Sequence, residues 1–296
     1  MSDSIVTSYL ILAHQWPAQL KRLINALQAP GVVFWVHVDA SRELEPFTSA
    51  LSEVSNCHFI EDRQAVCWGG FSQTQAILRL MTESLAAHAN CHRFNLISGT
   101  CYPIADNDVL AKASASAFQF IACRRISEDS EGYKRISRYH LNDHRLLSVR
   151  DPGAASSLQK SLRSYVKAFV TSLPPPPPPP IPYHKGSTWW MLTRPVVEHV
   201  LSHCLPGSEI LERFRYSAHA DESLVQTLVA NSPFAKSIRP DRHYVDWSPE
   251  SRKRGKYLTI DALAHASSRH LFMRKVHPEI SAELLDAADL KRASSG

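Results

Sequence analysis

From residue 5 to residue 98 the chain alternates two patterns. Short uninterrupted apolar runs, Ile5 to Ala13, Val32 to Val38, Cys57 to Ile60 and Phe94 to Ser98, read as strands buried on both faces, because a strand with one wet face would alternate apolar with polar residues. Between them apolar residues recur at helical spacing. Pro17 opens a helix whose Leu20, Leu23, Ile24 and Leu27 share one face, with Gly31 just beyond its end. Ser72 and Gln75 have the spacing of a capping box for a second helix, which carries Ile77, Leu80, Met81 and Leu85. This order predicts an α/β fold with a mostly parallel sheet flanked by helices. The same rhythm returns late in the chain. Ser187 to Thr193 reads as a strand, Pro195 opens a helix with Val196, Val197, Val200 and Leu201 inward, and Leu224, Val225, Leu228 and Val229 mark one more helical face.

The stretch between these parts differs. Arg124 to Arg150 is charged and without clear period, and reads as a surface excursion. Leu158, Leu162, Tyr165, Val166 and Phe169 then mark an amphipathic helix, packed either on the core or, through Lys160, Arg163 and Lys167, against a membrane surface. Residues 174–180 are all proline, which suits a polyproline II spacer and no sheet or helix interior.

Composition narrows the picture. The 296 residues, 44% hydrophobic, suffice for one large α/β domain with an appended C-terminal segment. Thirty-three basic and 28 acidic residues give a net charge of +5, and no basic run is interleaved with aromatics. A phosphate-bearing ligand fits that balance better than a nucleic-acid backbone. The six cysteines form no CxxC pair and no dense framework, so they read as reduced thiols of a cytoplasmic protein. No apolar run approaches the roughly 20 residues that cross a bilayer.

Several residues stand where chemistry could be done. Asp221 and Glu222 fall at a loop-to-helix junction, where Asp221 suits the N-cap and leaves Glu222 as a general base. Asp39 ends the second strand, the position at which open α/β sheets hold ligands. In Trp68-Gly69-Gly70 the glycines permit a sharp turn, yet neither the dinucleotide nor the P-loop spacing is present. Ser251 to Lys256 forms a basic run. Asp106-Asn107-Asp108 spells an acid-x-acid pattern, which its position before a short helix assigns to capping, and His199 with His203 lacks a third nearby ligand, so no metal site is expected.

Val36-His37-Val38-Asp39, Trp68-Gly69-Gly70-Phe71-Ser72, Asn95-Leu96-Ile97-Ser98-Gly99 with Tyr102-Pro103, Gly186-Ser187-Thr188-Trp189-Trp190, Asp221-Glu222 and Lys275 occur in one order over residues 5 to 276. In that order they resemble the core-2/I-branching glycosyltransferase family, which contains β-1,6-N-acetylglucosaminyltransferases and peptide O-xylosyltransferases. The resemblance implies a GT-A-like fold, a UDP-sugar donor, inversion at the anomeric carbon and no divalent metal or other cofactor. It makes Glu222 the catalytic base and puts Asp39, Trp68 and Gly69 at the nucleotide. Lys275, with Lys256 and Arg254, falls on the diphosphate. Cys101, Trp189, Trp190 and Asp221 then border the substrates, with Cys101 where the family usually carries an Asp. Residues 124–186 become an acceptor-side insertion and 248–296 a basic segment closing over the diphosphate, within one domain. The implied partners are the UDP-sugar and a glycan or lipid-linked glycan acceptor, with no nucleic acid, for a soluble bacterial-type enzyme at the inner face of the membrane or free in the cytoplasm.

The chemistry agrees with those assignments. Displacing UDP builds negative charge on the departing diphosphate while the incoming hydroxyl loses a proton, so the site needs one carboxylate and a cationic clamp, which fixed Lys and Arg side chains can supply in place of a metal. A catalytically silent nucleotide-sugar or glycan-binding module is the alternative from another class.

Overall fold

The computed structural model describes residues 6–143, 157–174, 181–253 and 256–294. β1 (Val6–Ala13), α1 (Pro17–Leu27), β2 (Val32–Val38), the short α2 (Glu45–Ala50) and β3 (Cys57–Phe59) form the first parallel units. They are followed by α3 (Phe71–Ala87), β4 (Cys91–Ser98), β5 (Cys101–Pro103), α4 (Asn107–Ala115) and β6 (Gln119–Ile121). The excursion leaves through β7 (Arg124–Arg125), contains α5 (Glu131–Ser137) and α6 (Ser157–Ser172), and returns through β8 (His184–Lys185), which pairs antiparallel with β7. β9 (Trp190–Thr193), α7 (Arg194–His203), α8 (Glu209–Arg215), a 3-10 turn (Ala220–Glu222) and α9 (Leu224–Ala230) complete the central layer. The chain ends with β10 (Ile238–Arg239), β11 (His243–Val245), α10 (Pro249–Lys253), α11 (Ala262–His265), β12 (Phe272–Arg274) and α12 (Ala282–Ala293).

The main sheet runs β10-β6-β9-β4-β1-β2-β3, and only β9 opposes its neighbours. This is the mostly parallel, helix-flanked sheet expected from the apolar runs. Alternate residues feed its two faces. Tyr9, Ile11, Phe34, Val36 and Ile97 pack with α1 and α12 on one side, whereas Leu10, Trp35, Phe94 and Leu96 pack with α3, α7 and α9 on the other. The α1 stripe is complete: Leu20, Leu23, Ile24 and Leu27 are buried, each contributing roughly 1.5–3 kcal/mol of transfer free energy. A small sheet, β11-β12-β5, lies beside the main one and carries Arg274 opposite Cys101.

Four expectations change. The strand expected over Ser187 to Thr193 begins at Trp190. α3 is not capped by a Ser72–Gln75 box: its N-cap is Gly70, and Asp143 of the excursion accepts from Phe71 N at 2.6 Å, from Ser72 N at 3.0 Å and from Ser72 Oγ at 2.5 Å. A carboxylate at a helix N-terminus satisfies orphan N–H groups and complements the dipole, so it displaces the weaker hydroxyl cap. α6 does not pack its apolar stripe on the core, because Leu158, Leu162, Tyr165 and Phe169 are exposed. In 248–296 only the part up to Lys275 reaches the strand ends. α12 runs away from them under the sheet, burying Leu284, Leu285 and Ala288, and Arg292 near its end bonds the Ala26 carbonyl at the far end of α1.

All six cysteines are free thiols; burial pushes Cys57 and Cys204 up to about 12. Among the described residues no helix is long and apolar enough to cross a membrane. The proline run, apart from Pro174, lies outside the described residues.

Candidate active site

Asp221 and Glu222 share a 3-10 turn and point to different environments. Asp221 is buried, its Oδ2 accepting from Thr188 Oγ1 at 2.8 Å and Gln73 Nε2 at 2.9 Å, while Oδ1 meets no protein partner. It therefore does not cap α9, whose N-cap is Ser223. The turn between the acid and the helix rotates its side chain into the protein. Burial, reinforced by the neighbouring Glu222 charge, pushes the Asp221 carboxyl up to about 7, with the Thr188 bond opposing. Glu222 is exposed. Its backbone is fixed at both ends: its N–H donates to His219 O at 3.1 Å and its carbonyl accepts from Gly186 N at 2.9 Å. Gly186 must lack a side chain, since a Cβ there would lie 1.7 Å from Ala122 O. The open carboxylate of Glu222 is thus held on a rigid turn.

His219 connects this turn to Trp68. Its φ is 57°, its N–H donates to Gly69 O at 3.0 Å, and its ring meets the Trp68 ring edge-on at 4.9 Å. Gly69, itself at φ 71°, also has its carbonyl bonded by Asn142 Nδ2 at 2.8 Å. Trp68 remains 70% exposed, a free aromatic face beside the carboxylate. Burial holds the His219 imidazole below its usual range, aided by Arg135 and Lys167 and opposed by Glu222, so it is neutral at pH 7.

Opposite stand the cations. The Arg274 guanidinium lies 4.4 Å from the centre of the Trp189 ring, and its Nε is buried without a partner. Burial lowers its pKa, with the Cys101 thiol and the Glu222 charge working against that. The Glu222 charge is thus near enough to Arg274 to favour its charged form. Lys275 follows, its ammonium lowered by burial and then by Arg274 and Lys256. The three form one positive cluster. Lys256, in a left-handed backbone at φ 66°, sets its Nζ 3.9 Å over the exposed Trp247 ring. His243, buried beneath Trp189 and beside Phe272, is pushed down to about 3, first by burial and then by Arg274, and stays uncharged below the cluster.

Asp39 joins the same end of the sheet through β2. Its N–H bonds Ala13 O at 2.9 Å and its Oδ1 accepts from Ser41 N at 2.7 Å, so the acid shapes its own turn. Its charge raises the pKa of His14, which burial lowers most and which Lys275 lowers further. His14 follows the last residue of β1, within electrostatic reach of Asp39, Arg42 and Lys275. Of the predicted residues, Asp39 follows β2 and Lys275 follows β12 with its N–H on the Lys256 carbonyl, while Trp68 and Gly69 meet His219 on the turn that carries Glu222. Cys101 and Trp190 are both withdrawn from solvent, Cys101 against Ser98 and Arg274, and Trp190 in the helix-side core, so neither can touch a substrate as placed. Trp189 is also buried and supports Arg274. Arg254 lies outside the described residues.

Sequence reasoning missed the roles of Arg274, His14, Asp143, Thr188 and Gln73. Arg274 alone had a local signal, as the cation adjoining Lys275 on a strand. Asp106 caps α4 through Val109 N at 2.8 Å, as its position suggested, and His203 Nδ1 bonds His199 O at 2.8 Å on the helix surface. No group of three metal-ligating side chains occurs among the described residues.

The sequence profile described as Core-2/I-Branching enzyme matches residues 7–270. The chain belongs to this family of glycosyltransferases. Xylosyltransferase 2 of Canis lupus familiaris is 24% identical over 307 residues, which cover 95% of this chain and 33% of that protein. The beta-1,3-galactosyl-O-glycosyl-glycoprotein beta-1,6-N-acetylglucosaminyltransferase of Bovine herpesvirus 4 (strain V. test) is 25% identical over 230 residues, covering 75% of this chain and 46% of that one. The chain thus spans about a third of the length of the xylosyltransferase it matches. The crystal structure of mouse xyloside xylosyltransferase 1, apo form, aligns over 90% of this chain and 96% of that one at 12% identity with a TM-score of 0.38.

Proposed function

We propose that the protein is an inverting glycosyltransferase that moves a sugar, GlcNAc or xylose, from a UDP-sugar to a glycan hydroxyl, with Glu222 as base and cationic side chains in place of a metal. The observation that carries this reading is one open carboxylate, Glu222, within electrostatic reach of Arg274, which with Lys275 and Lys256 forms a positive cluster. Charge separates between such groups during the reaction. The acceptor oxygen bonds to the anomeric carbon from the Glu222 side as the bond to the diphosphate breaks on the other, and the acceptor proton passes to the Glu222 carboxylate. Negative charge then grows on the diphosphate, which fixed cations stabilise without reorganising. Asp39 and Trp68 are suited to hold the uridine, one by hydrogen bonds and the other by its exposed ring.

Xylosyltransferase and N-acetylglucosaminyltransferase relatives at similar identity support both donors equally. The test is Glu222→Gln, measured as turnover of UDP-GlcNAc and UDP-xylose beside UDP binding by calorimetry. UDP binding with lost turnover supports the reading. UDP binding with no turnover in either the variant or the unaltered protein would make the protein a silent nucleotide-sugar-binding module, and absence of UDP binding would remove the donor site altogether.

A further inference from the structure

The apolar stripe of α6 is laid open to water. Leu158, Leu162, Tyr165 and Phe169 are 78, 60, 76 and 65% exposed, and Leu173, just beyond the helix, prolongs the line. Spaced four, three and four residues apart, the first four lie along one side of the helix. The helix is held to the body elsewhere: Val170 is buried, and the Thr171 carbonyl accepts from Arg138 Nη1 at 2.9 Å. Each Å² of apolar surface left wet forgoes roughly 25 cal/mol, so an apolar band of this regularity calls for a cover.

Charge selects the cover. Residues 157–174 contain Lys160, Arg163 and Lys167 and no Asp or Glu. Exposed Arg138, just past α5, bonds the helix, and exposed Arg135 lies one turn before it. The field of Lys167 and Arg135 reaches the imidazoles of His140 and His219, adding to the effect of burial in lowering both. An apolar band of Leu, Tyr and Phe on a helix whose only charges are positive is what an anionic bilayer surface binds: the band enters the headgroup boundary, Tyr165 keeps its hydroxyl at the wet edge, and the cations are drawn to the anionic headgroups. We propose that α6 is a membrane-surface helix that seats the protein on an anionic bilayer. The docking itself is independent of the transferase reading.

The test is sedimentation of the full chain with phosphatidylglycerol-rich vesicles and with phosphatidylcholine vesicles. Binding to the former should be roughly tenfold stronger or more, and should weaken as salt is raised. Leu162→Asp with Phe169→Asp should lose at least roughly tenfold in vesicle binding while leaving Tm and UDP affinity unchanged, because both side chains are exposed. Lys167→Glu with Arg138→Glu should also weaken binding. Glu222→Gln should bind vesicles like the unaltered chain, so a failed transferase assay and a failed docking assay are distinguishable. Equal binding to both lipids, or vesicle binding that survives the two Asp substitutions, overturns the proposal. A dimer in solution that those substitutions dissolve, without vesicle binding, gives the stripe to a second copy of the chain instead.

Discussion

One wall of the candidate site is made of strand ends, and the other hangs on side chains. On the first, Asp39 N bonds Ala13 O, Gly99 N bonds Leu12 O, Val276 N bonds Thr100 O and Leu258 N bonds Lys275 O, all at 2.8–2.9 Å, so the backbone itself fixes Asp39 and Lys275. On the second, the excursion is fastened by the carboxylate of Asp143, the amide of Asn142 and the two-residue ribbon of β7 and β8, with Glu222 and Trp68 next to these fastenings. The comparison shows how the labour divides. Continuous backbone bonds place Asp39 and Lys275, whereas side-chain bonds place the groups beside the excursion. Sites on ladders tolerate loss of one side chain; sites hung on side chains do not.

The contrast can be broken most sharply at Glu222. Glu222→Gln keeps shape and backbone bonds, and should cost roughly 10²- to 10⁴-fold in kcat while UDP affinity and Tm stay as they were. Normal turnover with the true acceptor would transfer the role of base to another group. On the opposite wall, Lys275→Ala should lower kcat/KM roughly 10²-fold, and EDTA should leave the unaltered protein active. Activity abolished by EDTA and restored by Mn²⁺ would replace the cationic clamp by a metallic one. Trp68→Ala should weaken UDP binding by several-fold, about 1 kcal/mol, by calorimetry; unchanged affinity removes Trp68 from the nucleotide.

Two smaller effects concern stability. Asp143→Ala strips the cap from α3 and should cost about 1–2 kcal/mol, read as a lower Tm. Asp221 gives a pH signature. With its folded pKa raised from 3.8 to about 7, the folded chain holds a proton that the unfolded chain has lost, so stability falls as pH rises across that interval. Asp221→Asn should flatten this dependence, melting roughly 4 °C or more above the unaltered protein at pH 8 and by a smaller margin at pH 5. Parallel melting curves at the two pH values would show that Asp221 titrates normally.

The strand-end wall was largely legible in the sequence, and the excursion wall was not. Val32 to Val38 shows both bounds of β2 because an unbroken apolar run with an acid after it is a local signal, and the same holds for Pro17 at the start of α1. Asp143 lies 71 residues from Ser72, and no spacing rule joins them. Asp221 is held inside by Thr188 and Gln73, both distant in the chain, so local reasoning assigned it to an N-cap that Ser223 occupies instead. Cys101 and Trp190 sat within the right motifs but on the inner side of their strands. α1 and α6 show equally regular apolar stripes, yet one is buried and the other open, because periodicity records a face and not what covers it.

Gly70 brings these strands of argument to a single point of contact. A Cβ there would lie 2.0 Å from Asp143 Oδ1, so the excursion is allowed to approach the start of α3 only because that position has no side chain. Three residues further along the same helix, Gln73 reaches Asp221, the neighbour of Glu222. The first turn of α3 thus carries Asp143 of the excursion at its start and Asp221, the neighbour of Glu222, one residue after Ser72. The missing side chain at Gly70 is what lets a carboxylate from the excursion and a buried carboxylate from the 3-10 turn share one turn of helix.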